Sequence, residues 1–237
     1  MATVFKTLNN NDVVSTRTLL HEAIPLTGTI LSGTYVSADA STNVKTYGHG
    51  MFQSVYDYPY LSSSANHVLD ISVGYASNSV LSASTSTQNS KKINIYNQMA
   101  QVLVGHDITG SIMRFDENGD LTEGDKLNEC IFLNFSRLVT KDEIKKGSFT
   151  MSVLTGGLIY YQAGVAVLTS SIFHPGTGTT PGHFGEAAFQ HISCSLTGTT
   201  INANSNYARA RIANVQFNNT TELNSTVYFC RANHNDF

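Results

Sequence analysis

Small neutral polar side chains, rather than charged ones, dominate this sequence. Asn, Ser and Thr supply 72 of the 237 residues, whereas Asp, Glu, Lys and Arg together supply only 13%. An average soluble domain has about 25% charged residues, and helical bundles draw heavily on Ala, Leu, Glu and Lys. The composition therefore disfavours a helical bundle and favours a β-rich globular chain. At this length the chain can bury a core without disulfides or structural metals.

Charge and cysteine usage argue against several classes of function. The formal net charge is −3 and the isoelectric point about 6.2, unlike a protein that neutralises nucleic-acid phosphates. The three cysteines are far apart and form no C-x-x-C pair, which argues against a disulfide framework or a thiolate zinc site. No stretch approaches the ~18 apolar residues of a membrane helix, and the N-terminus lacks the apolar run of a signal peptide. We therefore expect a protein folded in a cytosol, with no nucleic-acid or membrane partner.

Alternating and dense apolar runs predict strands along most of the chain. Residues 148–154 alternate strictly between apolar and small polar side chains, as in a strand with one buried face. Residues 130–139 are denser in apolar groups, which is typical of a strand covered on both faces. Residues 158–173 read as two strands hinged at residues 162–164, and Asn118-Gly119 is a hairpin signal.

The fold class follows from these strands. We expect a mainly β protein, an antiparallel β-sandwich-like domain spanning residues 21–237, preceded by an N-terminal arm over residues 1–20. The first twenty residues carry too little apolar area for a core of their own, so they form an extended arm or an edge strand.

Two segments predict short peripheral helices. Residues 92–104 place Ile93, Tyr96, Met99, Ala100 and Leu103 on one helical face, and Gly105 is a plausible C-terminal stop. Residues 141–146 follow a capping box made by Thr140 and Glu143, and Gly147 would end that helix.

The acidic run Asp116-Glu117-Asn118-Gly119-Asp120 begins like a calcium-binding loop. Such a loop needs Gly at its sixth position and a bidentate acid at its twelfth, but Leu121 and Leu127 stand there. A solvated hairpin turn is the better interpretation. A loose metal contact at a partner interface stays open for three nearby acids, Glu117, Glu123 and Asp125.

Histidines and standard catalytic motifs give no site. The spacing of His174, His183 and His191 matches no common zinc pattern, and residues 174–184 are more simply a long surface loop suited to a partner contact. There is no G-x-S-x-G elbow and no phosphate-binding G-x-x-x-x-G-K-[ST] loop. We therefore expect no enzyme activity, and we assign no catalytic, cofactor-binding or metal-binding residue and no cofactor.

Two residue groups permit both a structural and a functional interpretation. Arg209 and Arg211 lie in a strand-like segment, and their side chains would share one face of a sheet. That face is either solvated or, together with Arg231, binds an acidic surface of another subunit. The rings of Tyr56, Tyr58 and Tyr60 either pack in a core or interface or form a platform for a sugar.

The chain resembles virion structural proteins of tailed bacteriophages, of the type found in aquatic and cyanobacterial phages. The resemblance covers most of the length. It is carried by five segments: residues 5–14 (FKTLNNNDVV), 51–61 (MFQSVYDYPYL), 141–149 (KDEIKKGSF), 157–173 (GLIYYQAGVAVLTSSIF) and 228–237 (YFCRANHNDF).

The resemblance implies a structural subunit located in the virion and assembled in the host cytoplasm. A tail or baseplate component is the first expectation, with other virion structural proteins and further copies of itself as partners. Low charge and abundant Asn, Ser and Thr suit sparsely charged subunit interfaces, and an arm such as residues 1–16 suits strand addition. The alternatives are a capsid decoration or neck protein and a carbohydrate-binding receptor module, while an enzyme degrading envelope polysaccharide is the weakest interpretation.

Overall fold

The computed structural model of the chain describes residues 10, 13–26, 43–56, 59–83, 87–120, 126–136, 143–152, 157–169, 200–210, 212 and 214–228. These residues form twelve strands and two α-helices. The strands are β1 (Val13–Leu26), β2 (Val44–Thr46), β3 (Gln53–Tyr56), β4 (His67–Tyr75), β5 (Phe115–Asp116), β6 (Lys126–Leu127), β7 (Glu129–Phe135), β8 (Glu143–Ile144), β9 (Thr150–Ser152), β10 (Gly157–Tyr160), β11 (Val165–Thr169) and β12 (Asn214–Tyr228). The helices are α1 (Thr87–Leu103) and α2 (Ile201–Ala210).

A six-stranded antiparallel sheet forms the centre of the fold, in the order β10-β11-β7-β4-β3-β2. Its middle strand β7 is buried on both faces, because Ile131 and Leu133 enter one hydrophobic cluster while Cys130 and Phe132 enter another. The sequence prediction of a strand covered on both sides is confirmed here. The hinge at residues 162–164 is confirmed too, since β10 and β11 pair across it.

A second antiparallel sheet covers one face of the central sheet. It runs in the order β1-β12-β8, and β9 also pairs with β12. Val215 and Phe217 of β12 are buried in the same cluster as Ile71 and Leu133 of the central sheet. Two packed antiparallel sheets confirm the mainly β, sandwich-like fold class.

The opposite face of the central sheet is covered by α1 and the β5–β6 hairpin. Tyr96 of α1 and Phe115 of β5 meet edge to face with their ring centroids 5.4 Å apart. Helix α1 lies so close to β4 that a Cβ atom at Gly74 would stand 2.7 Å from the Lys92 carbonyl oxygen. A residue without a side chain is therefore required at Gly74 for this contact.

Helix α1 confirms the helix predicted at residues 92–104, although it begins at Thr87. The added first turn is polar, and its residue Asn89 is buried. The Tyr75 hydroxyl donates a hydrogen bond to the Asn89 side-chain oxygen. Gly105 follows the helix with a positive φ of 100°, which confirms the predicted stop.

The helix predicted at residues 141–146 is wrong. Glu143 and Ile144 form strand β8 and pair with Thr220 and Asn219 of β12. The capping box favours a helix here, but burial of the side chain outweighs this local preference, because Ile144 is completely buried between the two sheets.

The strand predicted around Arg209 is also wrong, because Ile201–Ala210 is helix α2. Thr200 precedes this helix, and its hydroxyl accepts a hydrogen bond of 3.2 Å from the Ala203 amide, as an N-cap does. Arg209 is buried rather than displayed on a sheet face. Arg211 and Arg231 lie outside the described residues.

The N-terminal segment contains strand β1, which stands at one end of its sheet among the described residues. Strand β1 pairs with β12 along its whole length, from Val13↔Tyr228 to Leu26↔Val215. Of the predicted arm, residues 13–20 belong to this strand, residue 10 is described but precedes it, and residues 1–9, 11 and 12 lie outside the description. The division into an arm at residues 1–20 and a domain at residues 21–237 stays a prediction.

Candidate functional site

A cavity of about 450 Å³ lies between the central sheet and α1. Strands β4 and β7 form its floor, α1 forms one side, and the connection from β2 to β3 forms the other. His49 and Gln98 are exposed, so the cavity is reached from solvent. The lining residues are His49, Met51, Phe52, Asp70, Ser72, Ile95, Gln98, Met99, Phe132 and Asn134.

Three aromatic rings pack together next to β2 and β3, and two of them, His49 and Phe52, line the cavity. Tyr47 and His49 are nearly parallel, with centroids 5.2 Å apart and an interplanar angle of 7°. Phe52 packs against both rings, at 4.9 Å from Tyr47 and 5.0 Å from His49. The Met51 amide donates a 3.0 Å hydrogen bond to His49 Nδ1. This bond fixes the orientation of the imidazole and does not involve Nε2. The turn thus supplies an ordered aromatic surface.

A carboxylate is held in place at the floor of the cavity. Asp70 Oδ1 accepts hydrogen bonds from the Ser54 hydroxyl at 2.5 Å and from His67 Nε2 at 2.8 Å. The Tyr47 hydroxyl lies 3.2 Å from Ser54 Oγ and joins the aromatic wall to this network. The Asp70 side chain is 24% exposed, so its second oxygen can face a ligand.

The Ser54–Asp70–His67 group contains the residue types of a hydrolytic triad but a different arrangement. In a triad the imidazole accepts the proton of the serine and the carboxylate orients the imidazole. Here the hydroxyl and the imidazole both donate to the same oxygen of Asp70. The arrangement orients the Asp70 carboxylate and differs from a triad, because no imidazole accepts the Ser54 proton.

Several polar groups of the cavity form no hydrogen bond with the described part of the chain. They are Asp70 Oδ2, the side-chain amides of Gln98 and Asn134, and His49 Nε2. A largely apolar cavity with a few convergent polar groups is the usual form of a small-molecule site.

Charges of both signs surround the site. The Lys45 ammonium lies over the Tyr47 ring, 5.1 Å from its centroid. Lys91 donates a 3.0 Å hydrogen bond from Nζ to the His49 carbonyl oxygen. The two lysines are not among the lining residues, whereas Asp70 is.

The layer between α1 and the central sheet buries titratable groups with opposite effects on stability. Burial lowers the pKa of Lys92 from 10.5 to about 8. Between these values the unfolded chain holds a proton that the folded chain has released, so folding stability rises with pH. Burial raises the pKa of the Cys130 thiol and raises that of Tyr160 to about 12. For these two acids the unfolded chain loses its proton first, so their contribution to stability falls as pH rises through the unfolded pKa values.

The acidic run at residues 116–120 forms part of a hairpin, as predicted. Strands β5 and β6 pair as Phe115↔Leu127 and Asp116↔Lys126. Asp116 is fully buried, accepts the Asn118 amide and forms an ion pair with Lys126. Of the three acids considered for a loose metal contact, Glu123 and Asp125 lie outside the described residues. Within the described residues, no group of three or more His, Cys, Asp or Glu side chains could hold a metal ion.

The predicted tyrosine platform is only partly described. Tyr56 and Tyr60 lie 6.3 Å apart with their rings tilted by 43°, and Tyr58 lies outside the description. Tyr56 also meets the His67 ring edge on, at 5.5 Å. These rings are not coplanar, so they do not make a flat platform. His174, His183, His191 and the loop at residues 174–184 lie outside the described residues as well.

Sequence reasoning missed the residues that line the cavity. Asp70, Gln98 and Asn134 come from β4, α1 and β7, and no fixed spacing joins them. The cluster of His49 and Phe52 near two glycines was the one local signal that could have indicated an ordered aromatic turn.

In the part of the chain that the structure describes, neither helix has the length and apolar character needed to cross a bilayer. No protein-family model matches the chain, and no curated protein and no solved structure matches it either.

Proposed function

We propose that the chain is a structural subunit of a tailed bacteriophage virion, a tail or baseplate component that works through subunit contacts. The observation that carries the proposal is the free end of the ribbon formed by β1 and β12. The resemblance of five sequence segments to virion structural proteins and the sandwich-like fold support the same function. The proposed partners are other virion proteins and further copies of the chain.

The ribbon extends beyond the rest of its sheet. Strand β12 pairs with β9 at residues 214–216 and with β8 at residues 219–220. From residue 221 to 228 its only strand partner among the described residues is β1. Eight residue pairs span about 27 Å at the usual strand rise. An isolated two-stranded ribbon is marginally stable in water, so this end gains stability from a partner.

The side chains at the end of the ribbon suit a protein interface. Val14, Val227 and Tyr228 are 44%, 47% and 61% exposed. Ser15 bonds to Thr226 at 3.2 Å and Thr16 to Ser225 at 2.6 Å, which satisfies these hydroxyls across the two strands. Residues 13–16 and 225–228 include no charged side chain.

The end of the ribbon at residues 13–16 and 225–228 has no charged side chain, which is unusual for an exposed strand end of a protein that stays free in solution. Soluble proteins protect exposed edges with Lys, Pro, bulges or a covering segment, because an open edge pairs with other chains. Strand β1 has a single strand partner among the described residues, β12. An edge of this kind is where strand addition takes place. We propose that this edge and the apolar end of the ribbon contact a neighbouring subunit.

The test replaces the apolar pair Val14 and Val227 with charges while keeping the ribbon. These residues face each other across the two strands. In the double variant Val14→Lys, Val227→Glu the opposite charges preserve cross-strand pairing, whereas the surface becomes unsuitable for an apolar contact. Ile108→Lys is the matched control, because Ile108 is fully exposed on a turn away from the ribbon. Circular dichroism should show the same fold for all three proteins.

The readout is the copy number per purified particle, by quantitative mass spectrometry against the major capsid protein. We expect a few to a few dozen copies for the wild type and the control, and none for the double variant. Hundreds of copies would move the subunit to the capsid surface. Absence of the wild-type protein from particles would overturn the virion proposal, and full incorporation of the double variant would overturn the role of the ribbon.

A further inference from the structure

We propose that the cavity between β4, β7 and α1 binds one neutral pyranose sugar unit. The proposal concerns a surface other than the ribbon and does not depend on the particle position proposed above. A volume of about 450 Å³ falls within the range of small-molecule sites. It accommodates one sugar ring and leaves room for a glycosidic linkage at the solvent side.

The aromatic wall suits one face of a sugar ring. Phe52 lines the cavity beside His49, and their centroids are 5.0 Å apart. Pyranose rings present a face of C–H groups that packs on aromatic side chains. The C–H hydrogens carry a partial positive charge, and the face of an aromatic ring is negative. Ile95, Met99 and Phe132 make the rest of the contact surface apolar.

The polar groups of the cavity suit hydroxyl groups. Each sugar hydroxyl donates one hydrogen bond and accepts others, so it needs neighbours of both kinds. Asp70 accepts only, and its Oδ1 is already used by Ser54 and His67, which leaves Oδ2 oriented and without a bond to the described residues. The side-chain amides of Gln98 and Asn134 each offer both a donor and an acceptor.

The charges of the cavity favour a neutral ligand over an anion. Asp70 is a lining residue, and the lining contains no Lys or Arg to pair with an anionic ligand. Neutral hexopyranosides and their N-acetylated forms satisfy this condition, whereas uronic acids do not.

The first experiment titrates the wild-type chain with methyl glycosides of glucose, galactose, mannose and N-acetylglucosamine, by calorimetry and saturation-transfer NMR. We expect millimolar binding of at least one of them, and weaker binding of the matching carboxylate sugars. A polysaccharide that ends in the same sugar is titrated in parallel. Tighter binding of the polysaccharide would identify the end of a glycan chain as the ligand. Equal binding of the polysaccharide and the methyl glycoside would identify the single sugar as the ligand. No saturable binding of any neutral glycoside at tens of millimolar would overturn the proposal.

The second experiment locates the site with a matched pair on α1. Gln98 lines the cavity, whereas Gln101 is an exposed residue of the same helix outside the lining. We expect Gln98→Ala to weaken sugar binding by about fivefold, as loss of one hydrogen bond does, and Gln101→Ala to leave it unchanged. Asn134→Ala should act like Gln98→Ala.

A variant of the tyrosine patch separates the cavity from the alternative site. Tyr60→Ala removes an exposed ring of the patch formed with Tyr56, and we expect no change in sugar binding. Loss of binding in Tyr60→Ala together with full binding in Gln98→Ala and Asn134→Ala would overturn the cavity as the site.

Discussion

Replacement of Gly74 by Ala tests how α1 is fixed to the central sheet. A Cβ atom at Gly74 would lie 2.7 Å from the Lys92 carbonyl oxygen and 2.8 Å from the Tyr96 amide nitrogen. Both atoms belong to the backbone of α1, so a side-chain rotation does not relieve the contact. An ordinary separation is about 3.4 Å or more, so the helix must move away from β4 by about 0.7 Å.

The size of the effect follows from two opposing contributions. Overpacking a core by one carbon costs about 1–3 kcal/mol, and a contact with rigid backbone lies at the upper end. Replacing Gly by Ala also restricts the unfolded chain and returns about 0.4–1 kcal/mol. We therefore expect a net loss of about 2 kcal/mol in the free energy of unfolding. In a chain of this size that loss lowers the Tm by about 4–8 °C.

Gly48→Ala is the matched control. Nothing lies within 4 Å of a Cβ atom at Gly48, so only the effect on the unfolded chain remains. We expect the control to be unchanged or stabilised by up to about 1 kcal/mol. The chain contains no Trp, so urea and thermal unfolding are followed by far-UV circular dichroism. Equal Tm values for Gly74→Ala and Gly48→Ala would refute the close packing of α1 on β4.

Two further substitutions test the same layer. As pH rises from 8 to 10.5, the folded wild-type chain releases the Lys92 proton before the unfolded chain does. We therefore expect the unfolding free energy of the wild type to rise relative to that of Lys92→Met by up to about 3 kcal/mol over this pH range. Taking this difference cancels the opposite contribution of Cys130, and a difference that does not change with pH would contradict the buried ammonium. Tyr96→Phe removes the 2.7 Å hydrogen bond to the Leu127 carbonyl oxygen and should cost about 1–2 kcal/mol in urea unfolding. Tyr60→Phe, on an exposed ring, should cost nothing measurable, and equal values for the two variants would refute this contribution.

Local patterns in the sequence were sufficient for the fold class and for several elements. The alternation and apolar density of residues 130–139 and 158–169 specify strands, because side chains of a strand alternate between two faces whatever the strand pairs with. The helix at residues 92–104 was predicted from its apolar face, which needs only a period of 3.6 residues, and the structure extends it back to Thr87. Both signals lie within a dozen neighbouring residues.

The elements that were mispredicted depend on distant parts of the chain. Ile144 follows a sound capping box, yet it pairs with Asn219 and is buried between two sheets. The polar segment Ile201–Ala210 has few apolar residues to reveal a helix, and it is held by burial of Ile201 and Ala208. In both cases long-range packing decides the structure, and local propensity is too weak to oppose it.

The sequence by itself determined a sparsely charged, mainly β chain with an N-terminal segment too poor in apolar area for a core of its own, because composition and short-range periodicity act residue by residue. Only the tertiary structure decided where that segment lies, by pairing Val13 with Tyr228 at the other end of the described chain. The cavity was decided in the same way, since Asp70, Gln98 and Asn134 converge only when α1 packs across the central sheet. Convergence of this kind depends on the register of the strands and on the position of the helix on the sheet. The spacing of residues along the sequence does not specify either one.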